Sequence, residues 1–291
     1  MRLLRLGPAG AERPGVLVTD SDYIDVSDRF GDFDGAFFAA DRWAELADLV
    51  HQRAAAGMSR PIGDTRIGSP IARPHQILCV GLNYAEHAAE SGAAVADEPV
   101  IFTKAPNSMC GPNDPIVKPL GGDKLDYEVE LGVVIGARAR YLPDDDAAAA
   151  VIAGFVLVND VSERAFQLER DGQWVKGKSC EHFNPCGPVL VTRDEVGDWS
   201  DLELWLTVNN EERQRSSTRH MVFGVLTLVR YLSQFMVLEP GDLLNTGTPS
   251  GVALGCPDYG YLQAGDVVEL GITGLGTQRS VVVEAKEWMC G

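Results

Sequence analysis

A mixed α/β fold, mostly β, is what this sequence predicts. Short runs of aliphatic and β-branched residues recur along the chain, broken by Gly, Pro or Asp. Strands and crossover helices do not alternate regularly, which disfavours a Rossmann or TIM-barrel arrangement. No self-similar period of roughly 20–50 residues is present, so the chain is not a repeat protein. Its 291 residues suffice for one large domain or two smaller ones.

The first elements predict a small β-rich N-terminal domain, residues 1–67. Residues 3–6, 16–18 and 23–26 read as short strands. A helix follows over 41–50, with Trp43, Leu46, Leu49 and Val50 at helical spacing and Asp41 as its N-cap. Residues 62–74 carry Gly and Pro and read as a linker, so a second domain spans 68–291. Its strands are expected at 77–80, 129–135, 155–159, 202–208, 242–244 and 267–272. Helices are expected at 147–152, behind the capping acids Asp144–Asp146, and at 225–235, which stops at Glu239-Pro240-Gly241.

Charge narrows the function. Lys and Arg total 25 against 42 Asp and Glu, a net charge of −17. Such a surface repels phosphates, which argues against nucleic acid or an anionic membrane as partner. A small anionic substrate remains compatible, because a cation in a pocket reverses the local field. No stretch of about 20 apolar residues spans a bilayer. The basic N-terminus has too short an apolar run for a signal sequence, so the expected compartment is the cytoplasm. The six cysteines, Cys79, Cys110, Cys180, Cys186, Cys256 and Cys290, form no CxxC pair and read as reduced, mostly small hydrophobes.

Several segments carry residue types suited to chemistry. Glu128 and Glu130 are two apart in an apolar strand, which puts both carboxylates on one face. A divalent cation would hold both ionised; the alternative is the solvated face of an edge strand. Asp160 closes the strand at 155–159 and would complete a hard oxygen-rich site for Mg²⁺ or Mn²⁺; alternatively it caps the segment 161–169. A short helix over 84–91 would bring His87 and Glu90, at i and i+3, onto one face. The carboxylate then holds one imidazole nitrogen and leaves the other as a general base, unless the two are an ordinary surface pair. Lys178 sits in a Gly- and Ser-containing turn, either near a metal as an oxyanion stabiliser or solvated. The loop 246–252 offers hydroxyls and backbone N–H groups to a carboxylate.

Taken in order, these segments resemble the fumarylacetoacetate hydrolase family. The resemblance rests on NYxxHxxE (Asn83, Tyr84, His87, Glu90), DYExEL (126–131), NDVSxRxxQ (159–167), GKSxE (177–181), a PxGP turn and TGTPxGV (246–252), and it covers about residues 75–285. It implies the C-terminal fold of that family behind a small N-terminal domain, commonly as a homodimer, with Mg²⁺ or Mn²⁺ held by Glu128, Glu130 and Asp160. It also implies His87 and Glu90 as a catalytic dyad, Lys178 as an active-site lysine, and Gln167, Thr248 and Arg164 as substrate-binding positions. Members act on 2-oxo and 2,4-diketo acids, which makes a C–C hydrolase of acylpyruvate type the first expectation. A decarboxylase, or an isomerase or tautomerase of 2-hydroxydienoic dicarboxylic acids, uses the same constellation. A non-catalytic ligand-binding module is the remaining class. Two departures from the family pattern stand out. His182 replaces a small hydroxyl residue and is expected to crowd the pocket near Lys178. The stretch 79–82 contains no acid, which limits the metal to three protein ligands.

Overall fold

In the computed structural model, which describes residues 1–288, strands outnumber helices. Cys290 lies outside the described residues. The backbone of the molecule is one large sheet. Its strands run in the order Arg60–Pro61, Asp22–Asp25, Arg13–Leu17, Arg2–Leu6, Leu190–Thr192, Ile152–Asn159, Val129–Ile135, Leu243–Asn245, Ile77–Gly81, Val100–Lys104, with Ile67–Gly68 also paired to Arg2–Leu6. The N-terminal strands thus extend the same sheet: Arg2 pairs with Val191 and Leu3 with Leu190. The expected linker contributes to it as well, through Ile67–Gly68 and the buried Ile71.

Two strands, Val129–Ile135 and Ile152–Asn159, are buried along their whole length. Their near-continuous apolar sequence follows from cover on both faces. On one face Leu131, Val133, Phe155 and Leu157 pack with Leu204, Leu206, Val268 and Leu270 of a second sheet. That sheet is ordered Glu211–Ser217, Glu203–Val208, Val267–Ile272, Gly276–Glu284, Ile116–Lys118. On the other face Val134, Val156 and Val158 meet Phe37, Phe38 and Leu46 from the N-terminal helices and Phe33 from the bend before Gly35–Ala39. Period-2 alternation sorts neighbouring residues into these two cores, and each buried Val, Leu or Phe contributes about 1.5–3 kcal/mol.

Helix Val225–Phe235 falls where expected, and Asp145–Ala150 starts with Asp144 Oδ1 accepting from Ala147 N at 2.9 Å. The N-terminal helix differs. It runs Trp43–Ala55 with Arg42 at the cap position, while Asp41 takes a left-handed φ of 49° and caps nothing. Asp160 does not cap a helix either: Glu163 caps Arg164–Leu168, accepting from Ala165 N.

Candidate metal centre and active-site cavity

The three acids converge because a strand pair frays at one end. Val129 pairs with Asn159 as the last rung of the ladder. Beyond it the chain on one side turns into Leu125–Asp126, which pairs separately with Ser162–Glu163. Glu128 sits in that break, its N–H donated to Asn159 Oδ1 at 3.0 Å, and its carbonyl accepts from Asp160 N at 2.9 Å. Carboxylate oxygens of Glu128, Glu130 and Asp160 therefore lie within 4.8 Å of one another, all buried. The solvated edge-strand alternative is ruled out, since Val129–Ile135 lies between two other strands.

Three cations surround the acids. Lys178 Nζ donates to Glu128 Oε2 at 2.7 Å and to Asp160 Oδ2 at 3.1 Å. Lys104 Nζ binds Asp160 Oδ1 and the Val161 carbonyl. Arg164 reaches Glu128 Oε1 at 2.6 Å, Asp126 Oδ2 at 2.9 Å and Gln167 Oε1 at 3.0 Å. Both lysines are 2% exposed, which removes the solvated alternative for Lys178. Asp126, Glu128, Glu130 and Asp160 thus outnumber Lys104, Lys178 and Arg164 by one.

The shortfall falls on Glu130. No side-chain cation bonds to it; Gly247 N donates to its Oε2 at 2.8 Å. Burial pushes its carboxyl well above the usual range, and the neighbouring Asp160 and Glu128 push it further. For Glu128 burial acts in the same sense, but Lys178 and Arg164 outweigh it and hold the group ionised. Burial would discharge Lys178, yet Asp160 and Glu128 keep its ammonium charged. Three hard oxygen donors, one without a cation, are the donor set that Mg²⁺ or Mn²⁺ fits. Gly247 is part of the cradle. Its φ is +98° and a Cβ there would stand 2.8 Å from the Asn83 side chain, so a larger residue would move the N–H off Glu130.

His87 and Glu90 lie on the short helix Ala85–Glu90. Asn83, just before it, fastens this end to the opposite loops: its Nδ2 donates to Thr246 O at 2.8 Å and Phe223 O at 3.0 Å, and its Oδ1 accepts from Phe223 N at 2.8 Å. His87 Nδ1 is 2.8 Å from Glu90 Oε1, and Gly251 N donates to Glu90 Oε2 at 2.9 Å. In a neutral imidazole, a proton on Nδ1 shared with Glu90 leaves Nε2 as the acceptor. With His87 6% exposed, the ordinary surface-pair reading does not apply.

One cavity of about 170 Å³ has His87, Glu128, Glu130, Lys178, Gln167 and Thr248 on its wall, together with Arg164. All nine residues expected at the site thus come together: Asp160 joins through its carboxylate, and Glu90 stands behind His87. Thr248 Oγ1 donates to Val129 O at 3.0 Å and accepts from Gln214 Nε2 at 2.9 Å. Arg164 has guanidinium bonds to three neighbours, so its geometry is that of a clamp on Glu128. His182 does not crowd this cavity. Its Nδ1 lies 2.9 Å from Pro115 O, and it faces a separate cleft with Arg5 and Arg66.

Two residues escaped the sequence reading. Lys104 ends the apolar strand Val100–Lys104, and a lone lysine closing such a run was the available signal. Trp174 lies in a polar loop whose sequence does not announce a wall residue.

The sequence model of the fumarylacetoacetate hydrolase C-terminal domain matches residues 76–283. The chain belongs to the fumarylacetoacetate hydrolase family. A Burkholderia multivorans protein provisionally named a hydrolase is 47% identical over 289 residues, covering 98% of this chain and 100% of that one. The crystal structure of 2-hydroxyhepta-2,4-diene-1,7-dioate isomerase from Mycobacterium marinum superposes with a TM-score of 0.77 at 30% identity, covering 98% of this chain and 99% of that one. Maleylpyruvate hydrolase from Sphingobium sp. SYK-6, in complex with manganese(II) and pyruvate, does so with a TM-score of 0.77 at 26% identity and the same coverage. Hydrolases and isomerases of small acids thus share this fold. No helix among the described residues is long and apolar enough to cross a membrane.

Proposed function

We propose that this member is a divalent-metal-dependent hydrolase that cleaves the C–C bond of a 2,4-diketo acid of acylpyruvate type. The observation that carries the reading is the shared cavity: an imidazole held by a carboxylate opens onto the same small space as three converging buried acids. Glu128, Glu130 and Asp160 would hold Mg²⁺ or Mn²⁺. Bound there, the ion supplies Lewis acidity and a template for the 1-carboxylate and 2-oxo oxygens of the substrate.

The chain's own residues account for the proton movements. His87 Nε2 takes a proton from water as the hydroxide oxygen bonds to the C4 carbonyl carbon, while Glu90 holds Nδ1 and stabilises the imidazolium. Lys178 has a third N–H beyond its two carboxylate bonds, and this N–H stabilises negative charge on substrate oxygen. Breaking C3–C4 leaves the electron pair on C3, and the imidazolium returns its proton there. The products are a carboxylic acid and pyruvate. Gln167, whose carbonyl is taken by Arg164, presents its amide N–H₂ to the substrate, and Thr248 holds the wall beside Glu130. Arg164 is a positioning residue for Glu128.

An isomerase of 2-hydroxydienoic acids is the second reading, supported by the likeness to the Mycobacterium marinum enzyme. It needs His87 to shuttle a proton and no attacking water. One assay separates the two: release of pyruvate from an acylpyruvate with Mn²⁺ and with EDTA. EDTA-sensitive release supports the hydrolase, and isomerisation of a dienoate without any pyruvate release overturns it. On the hydrolase reading His87→Ala lowers kcat by about 10²–10⁴-fold with Mn²⁺ binding retained. A homodimer, which the family resemblance implies, is checked by light scattering.

A further inference from the structure

Two kinds of residue share the cavity wall: Glu128, Glu130, Lys178, Arg164 and His87 on the one hand, and Leu82, Ala93, Phe102, Leu168, Trp174 and Leu254 on the other. The apolar set meets the acid centre at Phe102, whose ring centroid lies 5.1 Å from Lys178 Nζ. Phe102 and Trp174 meet edge to face, with ring centroids 5.2 Å apart. Trp174 comes this close because residue 81 is glycine: a Cβ there would lie 2.6 Å from the indole ring. Both cations on the wall are already bonded to buried acids. Lys178 is held between Glu128 and Asp160, and Arg164 between Asp126, Glu128 and Gln167. The polar groups that remain, Ser91 and the Gln167 amide, are neutral.

We infer that the apolar part of this wall selects an uncharged apolar acyl group, with Trp174 as the residue that sets its length. This rests on the reading of the acid centre as the anchor for a 2-oxo acid. A distal carboxylate would lose its water while both wall cations are already bonded to Asp126, Glu128 and Asp160, a cost that an alkyl chain does not incur. The net charge of −17 adds a further bias against a dianion. An apolar chain of a few carbons fills the space and gains from each methylene buried.

The test is binding to the Mn²⁺-loaded protein by calorimetry, with 2-oxohexanoate against 2-oxoadipate, two acids of equal chain length that differ in a terminal carboxylate. The expected result is 2-oxohexanoate binding about 10-fold or more tighter. Trp174→Ala should weaken 2-oxohexanoate about 10-fold while leaving pyruvate within about 2-fold. Gly81→Ala, whose methyl group would displace the indole from its place on the wall, should also change binding of the longer acid while leaving pyruvate within about 2-fold. Equal or tighter binding of 2-oxoadipate, or binding of neither acid, overturns the inference. Pyruvate release from an acylpyruvate with an alkyl tail is followed in parallel. Its absence while 2-oxohexanoate still binds tighter removes the hydrolase reading and leaves the apolar subsite standing; release without that preference does the reverse.

Discussion

At the seam between the first strands and the loop around Asp114, Arg5 holds Asp32 through two bonds, at 2.6 and 2.8 Å, and touches Glu12, while Arg66 grips Asp114 at 2.6 and 2.7 Å and reaches Glu12 at 2.8 Å. Every acid of this cluster has a guanidinium against it. In the metal centre Glu130 has none. Burial acts in the same sense on both clusters, but their partners send Asp114 and Glu130 to opposite sides of the ordinary range. Burial pushes Asp114 up, but the paired Arg66 and the Gly111 N–H pull it below the ordinary value. Burial and two carboxylate neighbours push Glu130 up with nothing comparable to oppose them. Buried charge is therefore neutralised from within where it ties the N-terminal strands down, and is left one cation short at the candidate metal centre.

The largest effect expected from this contrast is at Glu130. Glu130→Gln keeps the shape and removes the uncompensated charge. It should lower metal-dependent turnover by about 10²-fold or more and abolish the rise in Tm that Mn²⁺ gives, while the metal-free protein melts no lower than the parent. A lower metal-free Tm would show that the carboxylate is already compensated. Next comes the seam. Arg66→Ala strands Asp114 and leaves Glu12 only its longer contact with Arg5, and should cost about 2 kcal/mol in urea unfolding, because the pair is only partly buried. Turnover per folded molecule should stay the same; a lost Mn²⁺ response would mean that the two clusters are coupled. The smallest effect is on pH dependence. Asp114 titrates below its unfolded value of 3.8. Its contribution is thus fully present above that pH and is lost as pH falls through the folded value. Asp114→Asn should flatten the acid limb of Tm below about pH 4 and leave its slope near neutrality unchanged.

How far this was legible varies with the range of the interaction. His87 and Glu90 could be paired from i, i+3 spacing alone, because a helix turn is local. Glu128 and Glu130 were placed on one face by strand alternation, although Glu128 in fact lies in the break before the strand. Lys104 was not legible. It comes to Asp160 through the pairing of Val100–Lys104 with Ile77–Gly81 and then across the sheet, a relation between residues 56 apart in sequence. His182 was misplaced toward Lys178 because the turn after Glu181 takes a left-handed φ of 60°, which carries the ring to the other cleft.

By itself the sequence determined the chemical kind of the site: three hard carboxylates, an imidazole with its carboxylate, a lysine and a glycine-bearing loop, each recognisable from local spacing and order. The tertiary structure alone decided which acid is left without a cation, that Arg164 is bonded to Asp126, Glu128 and Gln167, and that Phe102 and Trp174 share the cavity wall with the acids. These are properties of burial and of contacts between strands far apart in the chain. No local pattern encodes them, because the desolvation that makes a charge matter exists only once the sheet has closed around it.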